Sequence, residues 1–188
     1  MNMEDKPSNF PKEGFARLIR SFDNTDDIVK LTRAFGLATK HHMGQQFGKD
    51  EPYINHPLRV AMILVDELQI RDTDLICAAL LHDAGDASQI QDCGERTSSI
   101  AQASMEPKDQ QQDKAKALED YYAKIARAPK DARYVKVADK LDLVRSMKGQ
   151  SIKAAKYREE MEKYVVPLAN ATDDRLAFKL SVALYELK

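Results

Sequence analysis

Ile76-Cys77-Ala78-Ala79-Leu80-Leu81-His82-Asp83 is the stretch that decides how this chain is read. Its first six residues are apolar on every helical face, the mark of a helix at the centre of a fold. The run then ends on an imidazole beside a carboxylate, a pair that is costly to bury unless something compensates both. A divalent metal does so, because neutral histidine and ionised aspartate are standard ligands. Two further groups sit in similar settings: His56 in Tyr53-Ile54-Asn55-His56-Pro57, and Asp139 in Val135-Lys136-Val137-Ala138-Asp139-Lys140-Leu141. The first reading is therefore a metal-dependent hydrolase.

Outward from that helix, periodicity is helical and no strand run stands out. Asn24 precedes Ile28, Leu31, Ala34, Phe35 and Ala38, an apolar stripe behind a capping residue, in a helix that ends near Gly44. Gly44, Gly48 and Pro52 mark the loop that delivers His56. His56 to Gln69 reads as a helix with Pro57 in its first turn, and Asp72-Thr73-Asp74 caps the central helix. Residues 87–113 are polar and rich in Ser and Gln. A short helix over Glu95 to Ala103 is expected within a connection that is either a solvated loop or a lid.

Tyr121, Tyr122 and Ile125 sit on a helix that stops at Pro129. Lys130 to Met147 forms the next, with Tyr134, Val137, Ala138, Leu141 and Val144 buried, and Ser151 to Val166 and Asp173 to Leu187 follow. The expected fold is all-α, an HD-type helical bundle of seven to nine helices in a single domain over 1–188. The first ten residues read as disordered and Pro11 to Phe22 as an accessory helix.

The 188 residues suffice for one well-buried core. A net charge of −1 provides no general attraction for nucleic acid or an anionic membrane. The apolar runs fall far short of the roughly 20 residues that span a bilayer, and Met1-Asn2-Met3-Glu4-Asp5 lacks the start of a secretory signal. Cys77 and Cys93 show neither ligand spacing nor a disulfide framework, which suits a reducing cytoplasm. Oligomeric state has no signature in the sequence.

All four histidines lie between positions 41 and 82. If three helices pack together, His56, His82, Asp83 and Asp139 provide two nitrogens and two carboxylates. Such a set leaves positions open for water on a six-coordinate ion such as Mn²⁺ or Fe²⁺ and holds no thiolate to favour structural zinc. The competing reading of Asp139 is a buried carboxylate paired with a nearby Lys or Arg.

Four stretches in order resemble the HD-superfamily hydrolases of the Rel/Spo type, above all the stand-alone small alarmone hydrolases. They are His42-Met43-Gly44-Gln45, Glu51-Pro52-Tyr53-Ile54-Asn55-His56-Pro57, Ala78-Ala79-Leu80-Leu81-His82-Asp83, and Val135 to Leu141. The resemblance covers roughly Leu31 to Gln150 and places the family's metal ligands on His56, His82, Asp83 and Asp139. It implies Mn²⁺ and a nucleotide substrate, guanosine tetraphosphate, split to GDP and pyrophosphate. It also implies a catalytic carboxylate at Asp86, substrate contacts from Lys49, Arg145 and Ser146, and for His42 either a phosphate contact or support of the residues around the metal. His41 matches no motif and reads as a surface residue. The chain ends soon after the hydrolase-like core, so degradation without synthesis is expected.

The chain departs from the family at three places. Asp86-Ala87 stands where the family has Glu-Asp, Phe47-Gly48 where it has Arg-Lys, and Leu143 where it has Asn. These changes leave the metal set intact and alter the groups that read the substrate. Two alternatives therefore stay open: the same chemistry on another phosphorylated nucleotide such as NADPH, and a weakly active nucleotide-binding regulatory domain. A helical scaffold with accidental motifs is the rival to all of these and predicts no metal.

Overall fold

A computed structural model describes residues 9–48, 51–85, 90–106, 114–147 and 157–187. Nine α-helices occur among the described residues: α1 (Phe10–Ile19), α2 (Thr25–His41), α3 (Asn55–Met62), α4 (Thr73–Leu81), α5 (Glu95–Ser104), α6 (Lys114–Arg127), α7 (Lys130–Ser146), α8 (Val166–Asn170) and α9 (Asp174–Glu186). The all-α expectation holds. No helix among the described residues is long and apolar enough to cross a membrane.

α4 is the centre. Asp72 caps it, accepting from Leu75 N at 3.1 Å, and every residue from Leu75 to Leu81 is buried. It packs against α2, α3, α5 and α7. Each large aliphatic side chain buried there contributes about 1.5–3 kcal/mol, which fixes the height at which His82 and Asp83 leave the helix. Gly85, at φ 63°, then turns the chain in a conformation that glycine adopts without strain. Cys77 and Cys93 are both buried free thiols.

α7 is buried on almost all sides, yet four of its inward residues are charged: Lys136, Asp139, Lys140 and Asp142. A helix so enclosed keeps ionised groups only by pairing them, and the site owes its existence to that pairing. Tyr134, expected in the core, is only partly buried; its hydroxyl reaches out to Asp173 Oδ2 at 2.8 Å.

Local departures from the sequence reading have backbone causes. The expected helix His56 to Gln69 is α3 followed by a π-turn over Ile63–Glu67, closed by Leu68 N to Ile63 O at 3.2 Å. From this turn Asp66 pairs with Arg17, and Glu67 with Arg145 and Lys179. The helix expected to stop at Val166 continues through Pro167 to Asn170. A π-turn, Met161–Val165, precedes the proline; Pro167 has no N–H to continue the ladder, so the register shifts just before it.

A two-residue antiparallel pair, β1 (Gln46–Phe47) with β2 (Glu51–Pro52), appears where no strand was expected. It is too short to carry an apolar alternation. Its effect is to hold Phe47 and Glu51 beside the start of α3. Within 87–113, α5 packs on α4 and α7 and buries Thr97, Ile100 and Ala101. The rest of the lid reading, and the expected disorder of the N-terminus, fall largely outside the described residues.

Candidate metal centre

Three helices meet at one point. α3 presents His56 in its first turn, α4 runs into its C-cap His82 and then Asp83, and α7 brings Asp139 from mid-helix. Ligand atoms of His56, His82 and Asp139 lie within 4.8 Å of one another. Asp83 Oδ2 joins them, 3.6 Å from His56 Nε2 and 3.4 Å from His82 Nε2. Asp139 Oδ1 is 3.3 Å from His56 Nε2 and 3.9 Å from His82 Nε2.

Hydrogen bonds set the direction of both imidazoles. His82 Nδ1 donates to Ala79 O at 2.7 Å, so in the neutral ring Nε2 carries the lone pair, and that buried atom has no hydrogen-bond partner. An unpaired buried acceptor costs free energy, and a cation beside it removes the cost. His56 Nδ1 lies 2.8 Å from Asp142 Oδ2, which aims its Nε2 at the same place. A carboxylate behind a histidine is how ligating imidazoles are commonly oriented. The residues therefore fit a divalent ion, with two nitrogens and two hard oxygens.

The two carboxylates are held ionised, as metal ligands must be. Burial opposes ionisation of Asp139, but Lys136, His56 and Lys140 hold its carboxyl well below the usual range. Burial likewise opposes Asp83, and His82, His56 and the Tyr53 hydroxyl lower it against repulsion from Asp139. Burial pulls the His56 imidazole down, but hydrogen bonds to Asp139 and Asp142 outweigh it and push it up to about 9. Both readings of Asp139 are realised at once: Oδ2 accepts from Lys136 Nζ at 2.8 Å while Oδ1 faces the imidazoles.

His42 is buried and stacks on Tyr53 (4.4 Å, 22°), whose hydroxyl donates to Asp83 Oδ2 at 2.8 Å. It stands behind Tyr53. Arg145 makes two contacts to Glu67, at 2.6 and 3.1 Å, and Ser146 Oγ donates to Leu143 O at 2.7 Å. Both line a cavity of about 600 Å³ whose wall also includes Phe10, Arg59, Ile63 and Asp142. Asp142 thus belongs to the cavity and to His56 together. Lys49 and Asp86 lie outside the described residues.

Several residues escaped the sequence reading. Asp142 takes two hydrogen bonds from Arg59, at 2.7 and 3.0 Å, and Arg59 Nη1 pairs in turn with Glu51. Phe47 stacks flat on His56 at 4.6 Å, with the Arg59 guanidinium 5.5 Å from its ring centre. The spacing of Asp139 to Asp142, and of His56 to Arg59, is one helical turn; that was the available signal.

Residues 34–173 match the profile of the HD-domain family. The chain belongs to that family. The HD domain here is similar in fold to a solved structure described as a metazoan ortholog of SpoT that hydrolyses ppGpp and plays a role in starvation responses. The TM-score is 0.74 at 22% identity, over 88% of this chain and 97% of that one. In sequence it is 41% identical over 71 residues to the bifunctional (p)ppGpp synthase/hydrolase SpoT of Escherichia coli K12, covering 38% of this chain and 10% of that protein. It is 42% identical over 62 residues to the guanosine-3′,5′-bis(diphosphate) 3′-pyrophosphohydrolase MESH1 of Danio rerio, covering 32% of this chain and 34% of that protein. This HD domain therefore matches about a third or less of the length of these curated relatives.

Proposed function

We propose that this HD domain is a divalent-metal-dependent phosphohydrolase that removes the 3′-pyrophosphate of guanosine 3′,5′-bis(diphosphate), releasing GDP and pyrophosphate. The observation that carries the metal is the orphaned Nε2 of His82, aimed at the atoms of His56 and Asp139. The names of the sequence relatives support the substrate. Mn²⁺ suits a set of imidazole and carboxylate ligands without thiolate. We assign the protein to the cytoplasm because Cys77 and Cys93 are both free thiols.

His56, His82, Asp83 and Asp139 would hold the ion. When bound, it lowers the pKa of a water and offsets charge on the attacked phosphate. Tyr53 orients Asp83, and Asp142 holds the His56 ring so that Nε2 faces inward. Asp86 is assigned the movement of the attacking water's proton, a role worth about 10²–10⁴-fold. The cavity at Arg145 and Ser146 lies in the usual range for small-ligand sites and is assigned to the nucleoside, with Lys49 at its phosphates and His42 supporting Tyr53 from behind.

One observation favours a second substrate. Phe47, where the Rel/Spo pattern has a cation, faces His56, and Arg145 is already paired with Glu67. That favours another phosphorylated nucleotide, such as NADPH, on the same centre. The test is anion-exchange product analysis with Mn²⁺ and each nucleotide, with Asp83→Ala as control. GDP and pyrophosphate formed only with Asp83 intact would support the first reading. Release from NADPH alone would replace it with the second. No product from either, in protein that holds metal, would leave a binding role.

A further inference from the structure

Lys136 and Lys140 lie one turn apart on α7, with side chains only 2% and 5% exposed. Buried ammonium groups persist only beside counter-charge. Lys136 has Asp139 at 2.8 Å, and its ammonium also sits 5.5 Å from the Tyr121 ring centre. Lys140 has Glu160 at 3.9 Å, an oxygen that also accepts from the Tyr122 hydroxyl at 2.9 Å. Beyond these, both ammonium groups converge on a single atom, Glu106 Oε1, at 3.4 Å from Lys136 and 2.5 Å from Lys140.

Glu106 differs from everything around it. Its side chain is 48% exposed, and it sits on the non-helical residues just after α5. A half-exposed carboxylate has room to turn into water once another anion takes its place, whereas the lysines are packed into the core and cannot follow. With Glu106 turned away, two fixed donors would face outward and need another anion. Lys136 donates to the same carboxylate whose other oxygen faces His56 and His82. An anion held at the lysines is therefore separated from the candidate metal centre by the width of Asp139.

We propose that Lys136 and Lys140 form a phosphate-binding site, occupied in the free protein by Glu106 and taken over by the pyrophosphate group of the nucleotide. The inference rests on the phosphohydrolase reading for its ligand, but its geometry stands without it. Two ammonium groups on one oxygen match the acceptor-rich terminus of a phosphate, where charge-assisted hydrogen bonds are strong.

The test is isothermal titration of the metal-free full chain with inorganic pyrophosphate, in chelator, for wild type, Glu106→Gln and Glu106→Gln/Lys140→Met. Removing the resident charge should tighten pyrophosphate binding by about tenfold, and the double variant should lose that gain. Equal affinity in wild type and Glu106→Gln would overturn the proposal. So would a gain that survives in the double variant, since it would then be a general charge effect, and so would no measurable binding to any of the three. Tight pyrophosphate binding without nucleotide turnover would remove the substrate assignment and leave this site standing.

Discussion

Asp142 Oδ2 lies 2.8 Å from His56 Nδ1, joining residues 86 apart in the chain. The same carboxylate takes two hydrogen bonds from Arg59. His56 is thus positioned from behind by a charged pair that also walls the cavity. Ring orientation, Arg59 and the cavity shape are one mechanical unit.

Asp142→Asn is expected to weaken Mn²⁺ binding by about 10–100-fold, as loss of an outer hydrogen bond to a ligating histidine does. Titration of metal into variant and wild type would check it. Unchanged affinity would make Asp142 a purely structural partner of Arg59.

Metal removal should lower the melting temperature, because an ion bound only by the native state stabilises it, by about 2.7 kcal/mol at a concentration a hundredfold above Kd. Scanning fluorimetry with Mn²⁺ and with chelator should show a gap in wild type that closes in His82→Ala. A gap of equal size in that variant would place the metal elsewhere.

Asp86→Asn is expected to reduce kcat by about 10²-fold or more while leaving metal affinity intact. The reciprocal change, Glu-Asp in place of Asp86-Ala87, should raise it. Rate measurements beside metal titrations separate this role from a ligand role, which would lower both together.

Asp173 gives a pH-dependent stability. Hydrogen bonds from Arg175, with further ones from Tyr134 and the α9 amides, outweigh burial and hold its carboxyl at about 2, below the ordinary 3.8. The folded state therefore binds this proton less readily than the unfolded chain. Its contribution is complete above about pH 4 and is lost as pH falls through about 2. Asp173→Ala should cost about 1 kcal/mol at neutral pH through the lost helix cap. Urea unfolding of wild type and variant should converge on acidification, and a constant difference would exclude the charge as the cause.

Much of the frame was legible because it depends on local rules. Asn24 and Asp72 each cap a helix with a side-chain oxygen, as short polar residues before apolar stripes do. The His82-Asp83 pair stood out because an apolar run has no use for it. Asp142 stayed hidden because an aspartate in a helix rich in charged residues ordinarily faces solvent. Only when α7 is enclosed on almost all sides does its charge require Arg59 and His56. Glu106 carried no pattern at all; its meaning comes from two lysines that sequence places on a helix without saying which way they point.

By itself the sequence determined the helices, their caps, the central position of α4 and the residue types at the candidate metal centre. Periodicity and capping act within a few residues of chain, so they can be read in one dimension. Tertiary structure alone decided that His82 Nε2 is left without a partner, that Phe47 lies on His56, and that Lys136, Lys140 and Glu106 share one oxygen. Those outcomes depend on which buried charges and rings meet across elements distant in the chain, and the cost of burying a polar group without a partner settles them only once the helices are packed.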